Sequence, residues 1–290
     1  MSHGTIEKSV NPWEYMCERW NMFAPPGRPS REDVNNFRSS LYKSFEGKGL
    51  KKYNVLVLGA TPEIRSMLAE DENINVVLVD ITIDMIMSMT QLMEKKSKSE
   101  VWIKSNWIDV PLQDGYFDAI LSDLVICNVD KEKHGDFYNK VLRLLKPDGH
   151  WINRVYFIDD NTKIRPLDVL LDEYSKKPQI TKEDINNFRS TAGLIAWNRE
   201  EKLLDWSLLY NEMKKYIKDG QYCHPNPKAN EILEGTYELF KPFDKKYFLD
   251  TEEGNDTEFG KYFKINDRIH DESVVDLKEK AYYIYDLVRK

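Results

Sequence analysis

The sequence predicts an α/β protein with a doubly wound, mostly parallel sheet, N-terminal helices and a helical cap. Three observations carry this. Val55-Leu56-Val57-Leu58 is an apolar run too short for a helix. It reads as a strand buried on both faces, ending at Gly59 with a helix start directly behind. Strand-like and helix-like patterns then alternate through residues 53–158, which calls for a parallel sheet covered by helices on both sides. Beyond Asp160 the alternation gives way to helical spacing, with Leu167, Leu170, Leu171, Leu194, Trp197, Leu203, Leu204 and Leu208 marking buried faces.

At the N-terminus, Trp13, Met16, Cys17, Trp20 and Phe23 recur at helical spacing until Ala24-Pro25-Pro26-Gly27-Arg28-Pro29 breaks the pattern. Ser30, with Asp33 three residues on, caps a second helix lined by Val34, Phe37, Leu41 and Phe45. These helices either pack on the sheet or form a lid whose aromatics and Arg28 close over a ligand. After Gly59, Thr61 suits an N-cap and Pro62 the first helical position. A second strand, 75–79, ends at Asp80, and Met85, Ile86, Met89, Leu92 and Met93 form the core stripe of the next helix. Val101–Lys104 and Phe117–Ser122 are the third and fourth strands, with Asp123 just past the latter. A helix from Asp130 and a fifth strand, Trp151–Ile158, follow. His134 falls in a polar run and is expected on a solvated helix face. Lys246–Asp250 and Lys261–Ile265 read as an antiparallel pair, and an amphipathic C-terminal helix is expected over about 273–288.

Composition narrows the function. The chain has 290 residues, 41% hydrophobic and 31% charged, which is globular rather than disordered. A formal net charge of -7 argues against a general nucleic-acid footprint, without excluding a local basic groove. Three scattered cysteines make a disulfide framework unlikely by count and point to a reducing, cytoplasmic setting. No apolar run approaches a membrane span, so a soluble protein with no membrane partner is expected. Cys223 beside His224 lacks a second ligand pair, and no metal site is expected.

The first turn favours a ligand with a negative group, because the opening N–H groups of a helix point outward unpaired. Asp80 stands 21 residues after Gly59, the spacing at which a carboxylate reaches a ribose held over such a turn. The plainer alternative is a strand-end carboxylate capping the next helix. A nicotinamide site fits poorly, since Thr61 and Glu63 occupy the later glycine positions and Glu63 would repel a pyrophosphate.

Residues 53–158 resemble the class I S-adenosylmethionine-dependent methyltransferases at successive places. These are Val57-Leu58-Gly59-Ala60-Thr61, Val79-Asp80, Asn106-Trp107 before Pro111, Phe117 to Asp123, and Leu144-Leu145-Lys146-Pro147-Asp148-Gly149. The resemblance implies a seven-stranded Rossmann-like methyltransferase sheet ending in an antiparallel hairpin, and S-adenosyl-L-methionine as cofactor. The sequence departs from the family at Val57, where an acidic residue is usual, and at two of the three glycines. Asn106 stands where many members have an aspartate. The implied parts are a lid (1–50), a cofactor-binding core (51–160), a helical cap or insertion (161–240), and a terminal hairpin with C-terminal helix (241–290).

Roles follow from the same resemblance. Gly59, Ala60 and Thr61 would pass the methionine moiety along the backbone, and Asp80 would hold the ribose. Ile81 and Met85 would wall the adenine, Asn106 and Trp107 would read its edge, and Asp123 and Leu124 would lie beside the sulfonium. Asp123 and Tyr156 are the candidates for orienting the acceptor; Asn128, His134 and Arg154 lie nearby. The Asn/Asp-Pro-Pro-Tyr pattern of many nucleic-acid and protein amide N-methylating relatives is absent after the fourth strand. With the acidic charge, this favours a small-molecule acceptor. The alternatives are an RNA-modifying methyltransferase and a non-catalytic interaction module on the same fold.

Overall fold

The computed structural model describes residues 19–159, 162–240, 245–270 and 280–290. The core elements run β1 (Tyr53–Leu58), α2 (Pro62–Leu68), β2 (Ile74–Asp80), α3 (Ile83–Leu92), β3 (Val101–Lys104), β4 (Phe117–Asp123), α4 (His134–Leu144) and β5 (Leu145–Ile158), preceded by α1 (Arg31–Phe45). The seven-stranded sheet has the order β11-β12-β5-β4-β1-β2-β3, closed by β11 (Phe263–Ile269) and β12 (Lys280–Arg289). Strands β1 to β5 are parallel, while β12 runs antiparallel to both β5 and β11. From β1 the chain winds outward to β3, then crosses back to β4. The order therefore reverses between β1 and β4, and ligands of open α/β sheets bind at the carboxyl ends beside that reversal.

Side-chain alternation explains the two covered faces. Val55 and Val57 point to one side, where they pack with Phe37 and Leu41 of α1, Ile64 and Met67 of α2, and Ile86 and Met89 of α3. Leu56 and Leu58 point to the other, with Phe137 and Val141 of α4, Trp151, and Phe259 of α9 (Glu252–Tyr262). Each such fully buried side chain contributes about 1.5–3 kcal/mol relative to exposure. The start of α1 is a complete capping box: Asp33 N–H donates to the Ser30 hydroxyl and Ser30 N–H to the Asp33 carboxylate, both at 2.9 Å.

The cap comprises α5 (Leu167–Ser175), α6 (Lys182–Gly193), α7 (Trp206–Met213) and α8 (Pro227–Phe240). Two small antiparallel sheets accompany them. One joins β6 (Trp197–Asn198), β7 (Leu203–Asp205) and β10 (Lys246–Phe248); the other joins β8 (Ile217–Lys218) and β9 (Gln221–Tyr222). The cap has its own core around Leu170, Phe188, Trp206, Leu209, Ile232 and Leu233, which reaches Tyr156, Ile158 and Tyr282 of the main sheet.

The C-terminal quarter differs from the sequence expectation. The pair proposed between 246–250 and 261–265 does not form, because β10 joins β7 in the cap and residues 252–262 are helical. Thr251 caps that helix by accepting from Gly254 N–H at 3.0 Å, and Glu252 and Glu253 suit its positive N-terminal end. The expected C-terminal helix is instead β12 over 280–289; residues 271–279 lie outside the described ones, as does 1–18 of the N-terminal helix pattern. Tyr282, Ile284, Tyr285 and Leu287 are all buried because β12 is covered on both faces. The aromatic and β-branched density of this segment outweighs its helical spacing. The terminal hairpin exists, built from β11 and β12. Of the first helix pattern, Trp20–Met22 forms a single 3-10 turn.

Candidate active site

A cavity enclosing about 1040 Å³, its open mouth included, lies at the carboxyl ends of β1, β2 and β4. Its sheet wall is Gly59, Ala60, Thr61, Asp80, Ile81, Met85, Trp107, Asp123, Leu124 and Val125. The opposite wall comes from the lid segment (Trp20, Phe23 and Gly27), from Tyr156, and from the cap residues Arg189, Leu204, Trp206, Tyr247 and Leu249. Cys127 and Asn128 close the side between them.

The sheet wall follows from backbone geometry. Gly59 ends β1 at φ +87°, a conformation closed to most side chains, and a Cβ there would point toward the Trp107 ring 4.0 Å away. The Trp107 indole N–H donates to the Val79 carbonyl at 3.0 Å, fixing the ring as a wall. Asp80 is buried, and one carboxylate oxygen accepts from Thr82 N–H at 2.9 Å. The capping alternative is therefore realised in part, yet a carboxylate has further lone pairs for a ligand. Burial pushes the Asp80 pKa up to about 6, against the opposing bonds from Thr82 and Ile81 N–H. Leu124 follows β4 at φ +55°, a strained conformation for a branched side chain. It is held by its N–H to Arg154 O at 2.9 Å and by Asn128 Nδ2 donating to its carbonyl at 2.7 Å.

Asp123 belongs to a buried charge network. Arg154 Nε donates to it at 2.6 Å and the Thr61 hydroxyl at 3.3 Å, so Thr61 sits at the N-cap position but spends its side chain on Asp123. Arg154 Nη1 also donates to Asp33 at 3.2 Å, and the Tyr282 hydroxyl to the same carboxylate at 3.2 Å. Burial disfavours the charged guanidinium, but Asp123, Tyr156 and Asp33 outweigh it and hold the Arg154 pKa above its ordinary value. The Tyr156 hydroxyl donates to the Pro26 carbonyl of the lid, and burial raises its pKa, so it is a neutral donor and not a base.

Glu63, in the first turn of α2, fastens the lid. Arg28 Nε donates to it at 2.7 Å and Trp20 Nε1 at 3.3 Å. Arg28 thus latches the lid outside the cavity, while Trp20 and Phe23 face inward.

Of the residues singled out in the sequence, Gly59, Ala60, Thr61, Asp80, Ile81, Met85, Trp107, Asp123, Leu124 and Tyr156 converge on this cavity. Asn106 does not: it is exposed, and its side-chain oxygen accepts from Ile108 N–H at 2.9 Å in a local turn. His134 is buried rather than solvated, with Nε2 3.0 Å from the Val129 carbonyl and its ring edge-on to Phe248 at 4.5 Å. Burial lowers its pKa, which keeps it neutral. Arg189, Trp206 and Tyr247 went unnoticed in the sequence. They sit in helical or short-strand patterns whose periodicity says that they are buried, not what they border.

Residues 56–153 match a family profile described as a methyltransferase domain. No curated protein matches the sequence. Among solved structures, a Rhodobacter sphaeroides protein provisionally named a zinc-dependent alcohol dehydrogenase is 14% identical, with a TM-score of 0.55 over 96% of this chain and 97% of that one. At that identity the likeness is one of fold. A Burkholderia thailandensis 1,6-didemethyltoxoflavin-N1-methyltransferase is 13% identical, with a TM-score of 0.48 over 99% of this chain and 93% of that one. A Listeria monocytogenes protein provisionally named an S-adenosylmethionine-dependent methyltransferase is 15% identical, with a TM-score of 0.48 over 89% and 98%. Residues 56–153 of the sheet core are thus similar to a methyltransferase domain, and the strand order, glycine turn and acidic end of β2 that the sequence resemblance implies are present in the structure.

Proposed function

We propose that this protein is an S-adenosylmethionine-dependent methyltransferase acting on a small-molecule acceptor enclosed between core, lid and cap. The observation that carries the reading is one cavity in which the Gly59 turn, the Asp80 carboxylate and the Trp107 ring meet a cap wall. The residues fit the cofactor: the glycine leaves its backbone bare, and Asp80 offers acceptors for a diol. Ile81 and Met85 add an apolar flank beside Asp80, while Asp123 and Leu124 border the centre.

S-adenosylmethionine, when bound, supplies an electrophilic methyl group on a sulfonium. The chain's own residues hold and align. Asp123 is held in the cavity wall by its 2.6 Å ion pair with Arg154, so its carboxylate is a fixed group that costs no reorganisation when a ligand arrives. Tyr156 ties β5 to the lid and gives the acceptor a rigid aromatic surface. Trp20, Phe23 and Trp206 exclude water. Alignment of this kind is worth up to ~7–11 kcal/mol of a bimolecular barrier. Among the described residues no helix is long and apolar enough to cross a membrane.

Titration calorimetry with S-adenosylhomocysteine tests the proposal, expected to show one saturable site on the full chain. A folded protein that binds neither it nor S-adenosylmethionine sinks the reading. Mass spectrometry of small molecules released from the purified protein provides an independent check.

A further inference from the structure

We propose that Tyr247 selects the acceptor: its phenol hydroxyl hydrogen-bonds a hydroxyl or amino group carried on a neutral aromatic ring. This rests on the methyltransferase reading above and adds the chemical class of the molecule that receives the methyl group.

Tyr247 reaches the cavity because of the strand it lies on. β10 pairs with β7 through Tyr247 and Leu204, and side chains alternate along a strand. Phe248 therefore points into the core beneath, edge-on to His134 at 4.5 Å, while Tyr247 points to the cavity it lines. Two neighbours hold its ring. The Trp206 ring stands edge-on at 6.4 Å, and the Lys245 ammonium lies over the face at 4.5 Å. The hydroxyl itself bonds to no described residue. The groups whose charge acts on it are Cys127, Arg189 and Tyr156, all of which line the same cavity. The oxygen thus stands at the cavity and not within the cap core.

Neighbouring polar side chains are committed elsewhere. The Tyr156 hydroxyl donates to the Pro26 carbonyl, the Cys127 thiol to the Leu124 carbonyl at 2.9 Å, and Asn128 Nδ2 to that same carbonyl at 2.7 Å. Asp123 accepts from Arg154 and Thr61. Tyr247 is left with an O–H to donate and lone pairs to fill. Burial raises its pKa, so it stays a neutral phenol and hydrogen-bonds without taking a proton. A neutral group that both donates and accepts is matched by a hydroxyl or an amine, which do the same. Around it Trp20, Phe23, Tyr156 and Trp206 form a wall suited to a flat apolar body. None of Cys127, Arg189 and Tyr156 is among the residues assigned to the cofactor, so the hydroxyl faces the acceptor.

The test compares 5-hydroxyindole, 5-aminoindole and 5-methylindole on the full chain, by ligand-observed NMR titration with S-adenosylhomocysteine present. In Tyr247→Phe, which keeps the ring, at least one polar probe is expected to lose about three- to tenfold of its preference over 5-methylindole, the worth of one neutral hydrogen bond. The polar probe with the larger loss tells hydroxyl from amine. The variant should melt with the wild type and bind S-adenosylhomocysteine equally, since the hydroxyl has no partner in the free protein. A preference undiminished for both polar probes overturns the proposal. So does a tenfold loss of S-adenosylhomocysteine affinity in Tyr247→Phe, which would give the hydroxyl to the cofactor. Failure of all three probes to bind a wild-type preparation that takes up S-adenosylhomocysteine overturns it as well, by excluding an aromatic acceptor. A wild-type preparation that binds no S-adenosylhomocysteine marks instead the failure of the methyltransferase reading, and the proposal falls with it.

Discussion

The two walls of the cavity are built on opposite principles. The sheet wall is backbone: a glycine at positive φ, a leucine at positive φ, and strand ends whose side chains are fixed by bonds to neighbouring strands. The facing wall is side chains from distant parts of the sequence, Trp20 and Phe23 before the sheet and Arg189, Trp206 and Tyr247 after it. A wall of backbone suits a ligand that never changes, such as a cofactor. One of side chains can be rebuilt by substitution without disturbing the sheet, and suits the acceptor. The lid is joined to the sheet wall by Arg154 and Glu63, which are therefore the places to test how independent the walls are.

The largest effect is expected at Arg154. Its guanidinium is fully buried between Asp123 at the sheet end and Asp33 at the head of α1. Arg154→Met strands two carboxylates away from water, and removing one partner of a buried pair costs about 3–5 kcal/mol. Urea unfolding should show the midpoint moving accordingly, and adding Asp33→Asn should recover part of the loss. A variant as stable as the wild type would mean that the walls are not linked through this network.

Asp80 comes next, and its two effects oppose each other. Its folded-state pKa of about 6 lies above the ordinary aspartate value of 3.8, so the folded chain holds this proton more tightly than the unfolded one. Stability contributed by the group is therefore present at low pH and lost as pH rises from about 4 to about 6. Asp80→Asn should remove that loss, stabilising the free protein at pH 7 by up to about 3 kcal/mol. The same change should weaken S-adenosylhomocysteine by about 10- to 100-fold, the worth of charged hydrogen bonds to a diol. Wild-type affinity should rise between pH 5 and 7 while the variant stays flat. Calorimetry and thermal melts across this range check both signs.

The difference between the walls also governs what the sequence discloses. Val55 to Leu58, Gly59 and Asp80 are legible because the strand, the turn and the carboxylate lie close in the chain and obey local rules. The parallel sheet follows from alternation over 53–158, and Ser30 with Asp33 announces the start of α1. Arg189 and Tyr247 carry no such mark, since their neighbours across the cavity are far away in sequence. The C-terminal segment misleads for a related reason. Ile284 and Leu287 sit at helical spacing, yet they are buried on opposite faces of a strand inserted between β5 and β11. Only the vacancy beside β5, a tertiary fact, makes it a strand.

A smaller effect is expected at Glu63. The carboxylate receives Arg28 and Trp20, but both partners of the ion pair retain some solvent contact, which weakens it. Glu63→Gln should loosen the lid by about 0.5–1.5 kcal/mol, read as several-fold faster proteolytic nicking near residues 20–30. Global unfolding should barely move, because the Arg154 network still holds α1. If nicking is unchanged, Glu63 is a bystander and the lid is held by its aromatic packing and by bonds such as that of the Tyr156 hydroxyl to the Pro26 carbonyl.

The smallest expected effect discriminates most finely. Family resemblance assigns Asn106 to the adenine edge, whereas the structure turns its oxygen to Ile108 N–H and leaves the residue exposed beside the cavity mouth. Asn106→Ala should then change S-adenosylhomocysteine affinity by less than about twofold and stability by no more than about 0.5 kcal/mol, as for an ordinary surface substitution. Trp107, its neighbour, carries the wall, so Trp107→Ala serves as the contrasting variant in the same calorimetric series. A tenfold loss in Asn106→Ala would move the adenine outward past Trp107 and lengthen the backbone-built wall by one turn. It would also show that the local Asn106–Ile108 bond opens when ligand arrives, a rearrangement that exchange protection at the Ile108 amide would report.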